Sequence, residues 1–462
     1  MWYNKKTGAK GAGKTSGGFS MAEKNEILTL LTSQNPAGLA QLTEEFHPAD
    51  ILEVVQDQKD YSLLQALPDS FIADILDEAE DEDKYEILKS FNRERTHSIL
   101  NQMSVDEVTD LIEALEEDNR EAVIAALGFR NQNDVKKLLA YESDTAGGIM
   151  TTRFIAIYAS NTVMGALNYL KTDVDAETGY YMYVVDKYDF TLKGVVSLRD
   201  LVMAPFDTPI GDLLNPHVIS VHVEDDQEKV AQVFSRYGYQ AITVVDGDNR
   251  LVGIITVDDV IDVLNEEFTE DLHHLAGIGK EEKVDGSVAD SVKSRLPWLA
   301  VNLVTALAAS FVINLFNGTI EKIVALSAVM TIISGMGGNA GTQTLTLVIR
   351  ALSLEEIDRE NARPILLKEL GVGLINGAAI GVLVAGIAMF YDANPLFGLI
   401  AGLAMVLNML CAAAAGYGVP ILLEKLGIDP ALASGVFVTT VTDCMGFFIF
   451  LGLATAAMPL LV

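Results

Sequence analysis

One aspartate, Asp443, stands inside the last strongly apolar stretch of the chain, in Val441-Thr442-Asp443-Cys444-Met445-Gly446-Phe447. Gly435-Val436-Phe437-Val438 precedes it and Phe447-Phe448-Ile449-Phe450-Leu451 follows. A charged carboxylate at bilayer depth costs about 2.5–3.5 kcal/mol on insertion scales, so it marks a water-filled path, a cation or an ion pair between helices. The nearby apolar segments offer almost no Lys or Arg to pair with it. Asp443 is therefore the first candidate for the working group of a cation pathway.

Two further sets of polar groups could serve the same chemistry. Asp259, Asp262 and Glu266 fall at i, i+3 and i+7, and Glu267, Glu270 and Asp271 at i, i+3 and i+4. Each set shares one helical face, and like charges there destabilise a helix unless a cation neutralises them or water solvates them. The other set lies in an apolar segment, in Ser334-Gly335-Met336-Gly337-Gly338-Asn339-Ala340-Gly341-Thr342-Gln343-Thr344. Its glycines permit close helix packing. Asn339, Thr342 and Gln343 exceed what packing requires and read as a polar pore lining beside Asp443.

Composition says what must carry these groups. The 462 residues are half hydrophobic yet have a net charge of −32, which fits a polar, acidic half up to about Arg295 and an apolar half from Leu296. Strong acidity argues against a nucleic-acid partner, which needs clustered Lys and Arg, and favours cations. Two cysteines, Cys411 and Cys444, exclude a disulfide framework, and no His-x-x-x-His pair is present. Hard oxygen ligands are what the sequence offers. Near the start, Gly8-Ala9-Lys10-Gly11-Ala12-Gly13-Lys14-Thr15 matches a phosphate-loop pattern but follows no strand. Residues 1–21 read instead as a flexible extension. No nucleophile–base pair stands in a credible context, so no enzyme is expected.

Residues 22–143 read as an acidic all-α domain, with Asp or Ser capping short amphipathic runs after His47, Pro68 and Met103. Residues 144–262 carry an internal duplication. Tyr181–Asp186 and Lys193–Leu201 in the first copy correspond to Ala241–Asp246 and Leu251–Val260 in the second. These β-branched runs are strands, and Ser197-Leu198-Arg199-Asp200 and Thr256-Val257-Asp258-Asp259 open helices. The duplication resembles an α/β tandem CBS pair, whose cleft often holds an adenine nucleotide. By that resemblance Tyr181, Arg199 and Asp200 are nucleotide candidates; Asp200 reads equally as a helix cap. Residues 263–290 read as an acidic connecting helix, and residues 291–462 as an all-α membrane domain. Its five spans are placed at 298–316, 320–349, 366–391, 396–423 and 431–460, each long enough for a bilayer that needs ~20 residues. Lys293, Arg295, Arg350, Arg359, Arg363, Lys368 and Lys425 fall in alternating loops. The positive-inside rule then puts the soluble half in the cytoplasm and the C-terminus outside.

The order of parts resembles the MgtE family of magnesium channels over nearly the whole chain. The specific marks are Asp144-Thr145-Ala146-Gly147-Gly148-Ile149-Met150, Gly337–Gln343 and Thr442-Asp443-Cys444-Met445-Gly446-Phe447. The resemblance implies a multidomain homodimer in the inner membrane, with a pore on the two-fold axis where two copies of Asp443 hold hydrated Mg2+. It implies that cytoplasmic Mg2+ closes the pore by binding Asp259, Glu267, Glu270 and Asp271, with Asp262 on the same facing and Asp106 and Asp110 in the helical domain. Gly435 falls at a pore position that in relatives can hold Asn, so here it brings no side chain. In some relatives ATP in the CBS cleft tunes magnesium sensitivity. The competing expectations are a carrier exchanging a divalent cation for H+ or Na+, and a membrane-anchored sensor that conducts nothing.

Overall fold

A computed structural model describes residues 21–461 apart from 34, 173–178, 280, 281, 283, 285, 355, 359, 392 and 393. The phosphate-loop pattern at Gly8–Thr15 lies outside the described residues. The chain divides into two compact units, up to Val260 and from Ile261 onward.

The first unit opens with short helices: α1 (Met21–Ser33), α2 (Pro36–Glu45), α3 (Pro48–Gln58), α4 (Asp69–Asp77), α5 (Asp81–Lys89), α6 (Arg93–Leu100), α7 (Val105–Ala114), α8 (Glu117–Ala126) and α9 (Phe129–Leu138). Each buries one apolar stripe, such as Ile72, Ile75 and Leu76 on α4 and Val108, Leu111 and Ile112 on α7. The caps differ in part from expectation. His47 and Asp50 close a capping box on α3. Pro68, not Asp69, takes the cap position of α4. Ser104 stands at the cap of α7 but makes no capping bond; its N–H and Oγ–H donate to Asp77.

Two three-stranded sheets of one topology follow: β1 (Ala156–Tyr158), α10 (Val163–Thr172), β2 (Tyr181–Val185), β3 (Leu192–Ser197) and α11 (Leu198–Met203), then β4 (Ser220–His222), α12 (Gln227–Tyr237), β5 (Ala241–Val245), β6 (Leu251–Thr256) and α13 (Val257–Ala276). In each the first strand pairs parallel to the second and the second antiparallel to the third. Both break register at the same place, at Val184/Val185 and Val244/Val245. The lead-in at Gly147-Gly148 needs glycine: a Cβ on Gly148 would lie 2.4 Å from the Glu142 carbonyl oxygen.

Among its described residues the second unit holds five long helices: α14 (Val288–Asn314), then after the short α15 (Asn317–Ile320), α16 (Ala325–Ser353), α17 (Ala362–Tyr391), α18 (Pro395–Lys425) and α19 (Pro430–Ala456), followed by α20 (Met458–Leu461). The connecting helix expected over 263–290 ends instead at Ala276, where α13 stops, and the first span starts ten residues before the expected Trp298, at Val288. Segments of α14, α17, α18 and α19 are long and apolar enough to cross a membrane. The 29-residue α16 is as long, but its middle is diluted by Gly, Ser, Asn, Thr and Gln. Small residues set the packing. Gly373, Gly377 and Gly381 form a stripe at i, i+4, i+8 on α17, and a Cβ on Gly377 would stand 3.0 Å from Val406 Cα of α18. The core gathers Leu326, Ile333, Met405, Phe397 and Phe450, all fully buried.

Candidate functional site

Asp443 occupies the midpoint of α19 and is half-buried. Its carboxylate accepts a hydrogen bond from the Ser334 hydroxyl of α16. Among the described residues no Lys or Arg pairs with it. A lone carboxylate at the centre of an apolar helix, oriented by a hydroxyl that leaves its charge uncompensated, can attract a cation. Thr442, the preceding residue, is fully buried against α16 near Gly341.

The other α16 candidates lie on different flanks. At about 100° per residue, Thr342, Asn339 and Gln343 turn progressively away from Ser334. All three are exposed in the single chain. Gln343 lines a separate cavity of about 110 Å3 with Thr344, Glu369 and Asn376. Glu369 is buried there; Thr344 Oγ1–H donates to it at 3.1 Å and Lys368 Nζ lies 2.9 Å away. Gly435 lies near the start of α19, where a Cβ would stand 3.3 Å from the Leu275 carbonyl oxygen.

Four groups of the second unit converge where α13 ends. Asp429 caps α19 through Oδ1, accepting from the Ala431 N–H at 2.8 Å. Its Oδ2 lies 3.1 Å from His274 Nδ1, and His274 Nε2 lies 3.7 Å from Glu270. Burial raises the pKa of Asp271, and the Asp429 charge beside it adds to the rise. Sequence reasoning selected Glu270 and Asp271 and missed Asp429, although Asp before Pro is a cap signature. Asp262 is exposed on α13 and Glu267 half-exposed. Asp259 accepts from Thr256 Oγ1–H at 2.6 Å, closing the junction of β6 and α13.

In the helical domain the acids around Asp110 meet a cation of the chain's own. Lys84 is buried and lies 2.7 Å from Asp81 and 2.5 Å from Glu107. Burial alone would lower its pKa, but the two carboxylates outweigh it and raise it. Asp110 sits beside this group, and burial together with the charges of Glu107 and Asp81 pushes its pKa up to about 8. Asp106 is buried on the same helix. Among the described residues no three His, Cys, Asp or Glu side chains of one chain are arranged to hold a bare metal ion.

Between the two sheets of the first unit lies a cleft of about 280 Å3, with Tyr181, Tyr183, Asp200, His217 and Tyr239 in its wall. It brings together two of the three nucleotide candidates. Arg199 is exposed on α11 and is not part of the wall. Asp200 also serves α11, receiving the Ser197 hydroxyl proton at 2.6 Å. Tyr183, missed by sequence reasoning, is 2 % exposed, and its hydroxyl has no hydrogen-bond partner among the described residues. A buried phenol oxygen aimed into a cleft without a partner is a ready contact for a ligand.

Comparison with known proteins matches this layout part by part. The family model of the MgtE divalent cation transporter matches residues 330–453, and that of the MgtE intracellular N domain residues 43–144. The CBS domain model matches residues 146–207 and 210–266. The magnesium transporter MgtE of Enterococcus faecalis is 41% identical over 70% of this chain and 72% of its own. That of Thermus thermophilus is 40% identical over the same shares. The crystal structure of the cytosolic domain of the Mg2+ channel MgtE in complex with ATP is 36% identical, covers 52% of this chain and 99% of its own, and has a TM-score of 0.49.

Proposed function

The chain belongs to the MgtE family of divalent cation transporters, and on that premise we propose that it is a Mg2+-selective channel for magnesium uptake, closed by Mg2+ on its cytoplasmic side. The observation that carries the proposal is Asp443, an uncompensated carboxylate at the midpoint of a membrane-length helix, held by Ser334. Mg2+ gives up its water reluctantly and binds through one or two carboxylates while keeping several waters. Two copies of Asp443 facing each other across a dimer axis would hold the hydrated ion without stripping it, and loosely enough to release it.

The homodimer has independent support on α13. Val257, Ile261, Leu264, Phe268 and Leu272 are exposed at spacings of four, three, four and four, the seam of a helix that pairs with its like. At about 100° per residue Glu267 lies beside that seam, while Asp262, Glu266 and Glu270 fall toward the far side of α13; pairing two such acidic helices still concentrates negative charge. Mg2+ offsets that repulsion and favours the closed pairing; at low Mg2+ the repulsion returns and the path opens, a shift between two populations. Asp429 joins Glu270 and Asp271 as a sensor group on geometric grounds. In the helical domain Lys84 already neutralises part of the cluster, which leaves Asp106 and Asp110 the smaller share of sensing.

The CBS cleft fits an adenine nucleotide, with Tyr181 and Tyr239 as aromatic walls, Asp200 as the ribose acceptor and the Tyr183 hydroxyl as a polar contact. The basic loops support a cytoplasmic soluble half and a C-terminus outside the inner membrane.

The test is Mg2+ current in inside-out patches, with bath Mg2+ stepped from micromolar to ~10 mM at low ionic strength, for wild type and Asp443→Asn. Currents that shut at high Mg2+ and change with the substitution support the channel. Flux limited to carrier turnover and coupled to H+ or Na+ would replace it with an exchanger.

A further inference from the structure

Asn408 is the most buried amide of the second unit, and its position next to the Asp443 pair explains its presence. It lies near the middle of α18 and is 0 % exposed. Its Nδ2–H donates to the Ile333 carbonyl of α16 at 2.8 Å, and its Oδ1 has no hydrogen-bond partner among the described residues. Ile333 immediately precedes Ser334, the residue whose hydroxyl donates to Asp443. Two glycines make the room. A Cβ on Gly337 would stand 2.1 Å from Asn408 Nδ2, and one on Gly446 would stand 3.0 Å from it. Gly337 is three residues after Ser334 and Gly446 three after Asp443, one turn along on the two helices that bring serine and aspartate together.

An amide deep in an apolar bundle is a costly way to fill space. Leu or Met would pack there with no polar atom to satisfy. Here the sequence keeps an amide, leaves half of it unmet, and removes two side chains to admit it. The bond it makes fixes one backbone carbonyl, in the turn of α16 that presents Ser334. We infer that Asn408 is a positioning residue for the pore carboxylate: by clamping the Ile333 carbonyl it sets the Ser334 hydroxyl, which sets the orientation of Asp443 toward the ion. Groups of this kind, one bond removed from the metal, change metal affinity by about 10–100-fold when lost. The inference rests on the reading of Asp443 as the pore site.

A glue role between helices and a positioning role predict different readouts. The measurement is block of monovalent current by Mg2+ in the full-length channel, held open at low cytoplasmic Mg2+. Its concentration dependence reports occupancy of the pore site. Asn408→Leu keeps bulk and burial and removes the amide; Asn408→Asp keeps the shape and turns an acceptor toward the Ile333 carbonyl. Both should weaken block about tenfold, while the cytoplasmic Mg2+ needed for closure stays unchanged. Ser334→Ala should weaken it as much, and the Asn408→Leu/Ser334→Ala double variant should be no worse than the worse single, because both act through one chain of contacts. Unchanged block in the Asn408 variants, or fully additive losses, overturns the inference, provided Asp443→Asn does change block. If Asp443→Asn leaves block unaltered, it is the pore reading that falls, and the inference with it. Should Asn408→Leu not yield folded protein, Gly446→Ala crowds the same amide from α19 and is expected to shift block in the same direction; wild-type block in that variant also overturns the inference.

Discussion

Asp200 and Asp259 are counterparts in the two CBS repeats: each receives a hydroxyl proton at 2.6 Å from the residue three before it, Ser197 and Thr256 respectively. Both therefore stabilise the start of the helix that follows their third strand, but only Asp200 is part of the cleft wall. The capping duty is shared, and what else each carboxylate can do depends on what its helix leads to.

That separation can be measured. Each carboxylate braces the residue that starts its helix, Ser197 being the cap of α11, and losing such a hydrogen bond costs about 0.5–1.5 kcal/mol, so Asp200→Ala and Asp259→Ala should lower thermal stability similarly. Asp200→Ala should in addition weaken ATP binding, read by calorimetry on the full chain, by roughly tenfold, the loss of one good charged hydrogen bond. Asp259→Ala should leave ATP affinity near wild type. Equal effects on ATP would place the role of Asp200 in the fold alone.

Asp429 and His274 tie the C-terminal turn of α13 to the start of α19. If this corner senses Mg2+, Asp429→Ala should raise the cytoplasmic Mg2+ needed for half-closure by roughly fivefold, a coupling on the order of 1 kcal/mol. Current amplitude at low Mg2+ should be preserved. A wild-type closure curve would remove Asp429 from the sensor.

Asp110 predicts a pH dependence with a definite sign. Its pKa is pushed from 3.8 up to about 8 in the folded domain. Between those values the folded state holds a proton that the unfolded chain releases, so stability falls as pH rises through that window. Hydrogen exchange at the amides of α7, corrected for intrinsic rate, should show protection declining from pH 6 toward 8 by up to about tenfold per unit. Asp110→Asn should flatten the decline, and a slope that survives the substitution would assign the effect elsewhere.

The glycine stripe on α17 offers a graded test of packing. Gly377→Ala pushes a methyl to 3.0 Å from Val406 Cα and 3.1 Å from Met409 Cβ, where no flexible side chain can yield. Destabilisation of about 1–3 kcal/mol is expected from such overpacking. Gly386 on the same helix has open space beside it, so Gly386→Ala should not lower the thermal unfolding temperature in detergent and, by removing glycine's cost inside a helix of about 0.5–1 kcal/mol, should raise it slightly.

Much of the architecture is legible in the sequence because it follows local rules. The repeat endings Ser197–Asp200 and Thr256–Asp259 announce strand, cap and helix in four residues each, and Asp443 is conspicuous by its surroundings. What escapes is whatever depends on helices meeting. Nothing near Ser334 indicates that it, rather than Asn339 or Thr342, reaches Asp443, 109 residues away. Asn408 reads as one polar residue in an apolar helix until Gly337 and Gly446 are seen to face it. Lys84 looks like any surface lysine, and only the packing of α5 on α7 makes it the counter-ion of the cluster near Asp110. The polar residues of α16 signal a special helix, but one residue's error in phase is about 100° of rotation, enough to put Gln343 beside Glu369 instead of on the Ser334 flank.

The dilution of α16 also bears on how the protein is made. Segments of four of its long helices are apolar enough to partition into lipid on their own account. α16 is not, because the serine and glycines that let it sit against Asp443 and Asn408, together with Asn339 and Gln343 on its other flanks, subtract from its hydropathy. Its insertion into a bilayer is therefore expected to draw on α17, α18 and α19, which follow it in the chain and pack against it.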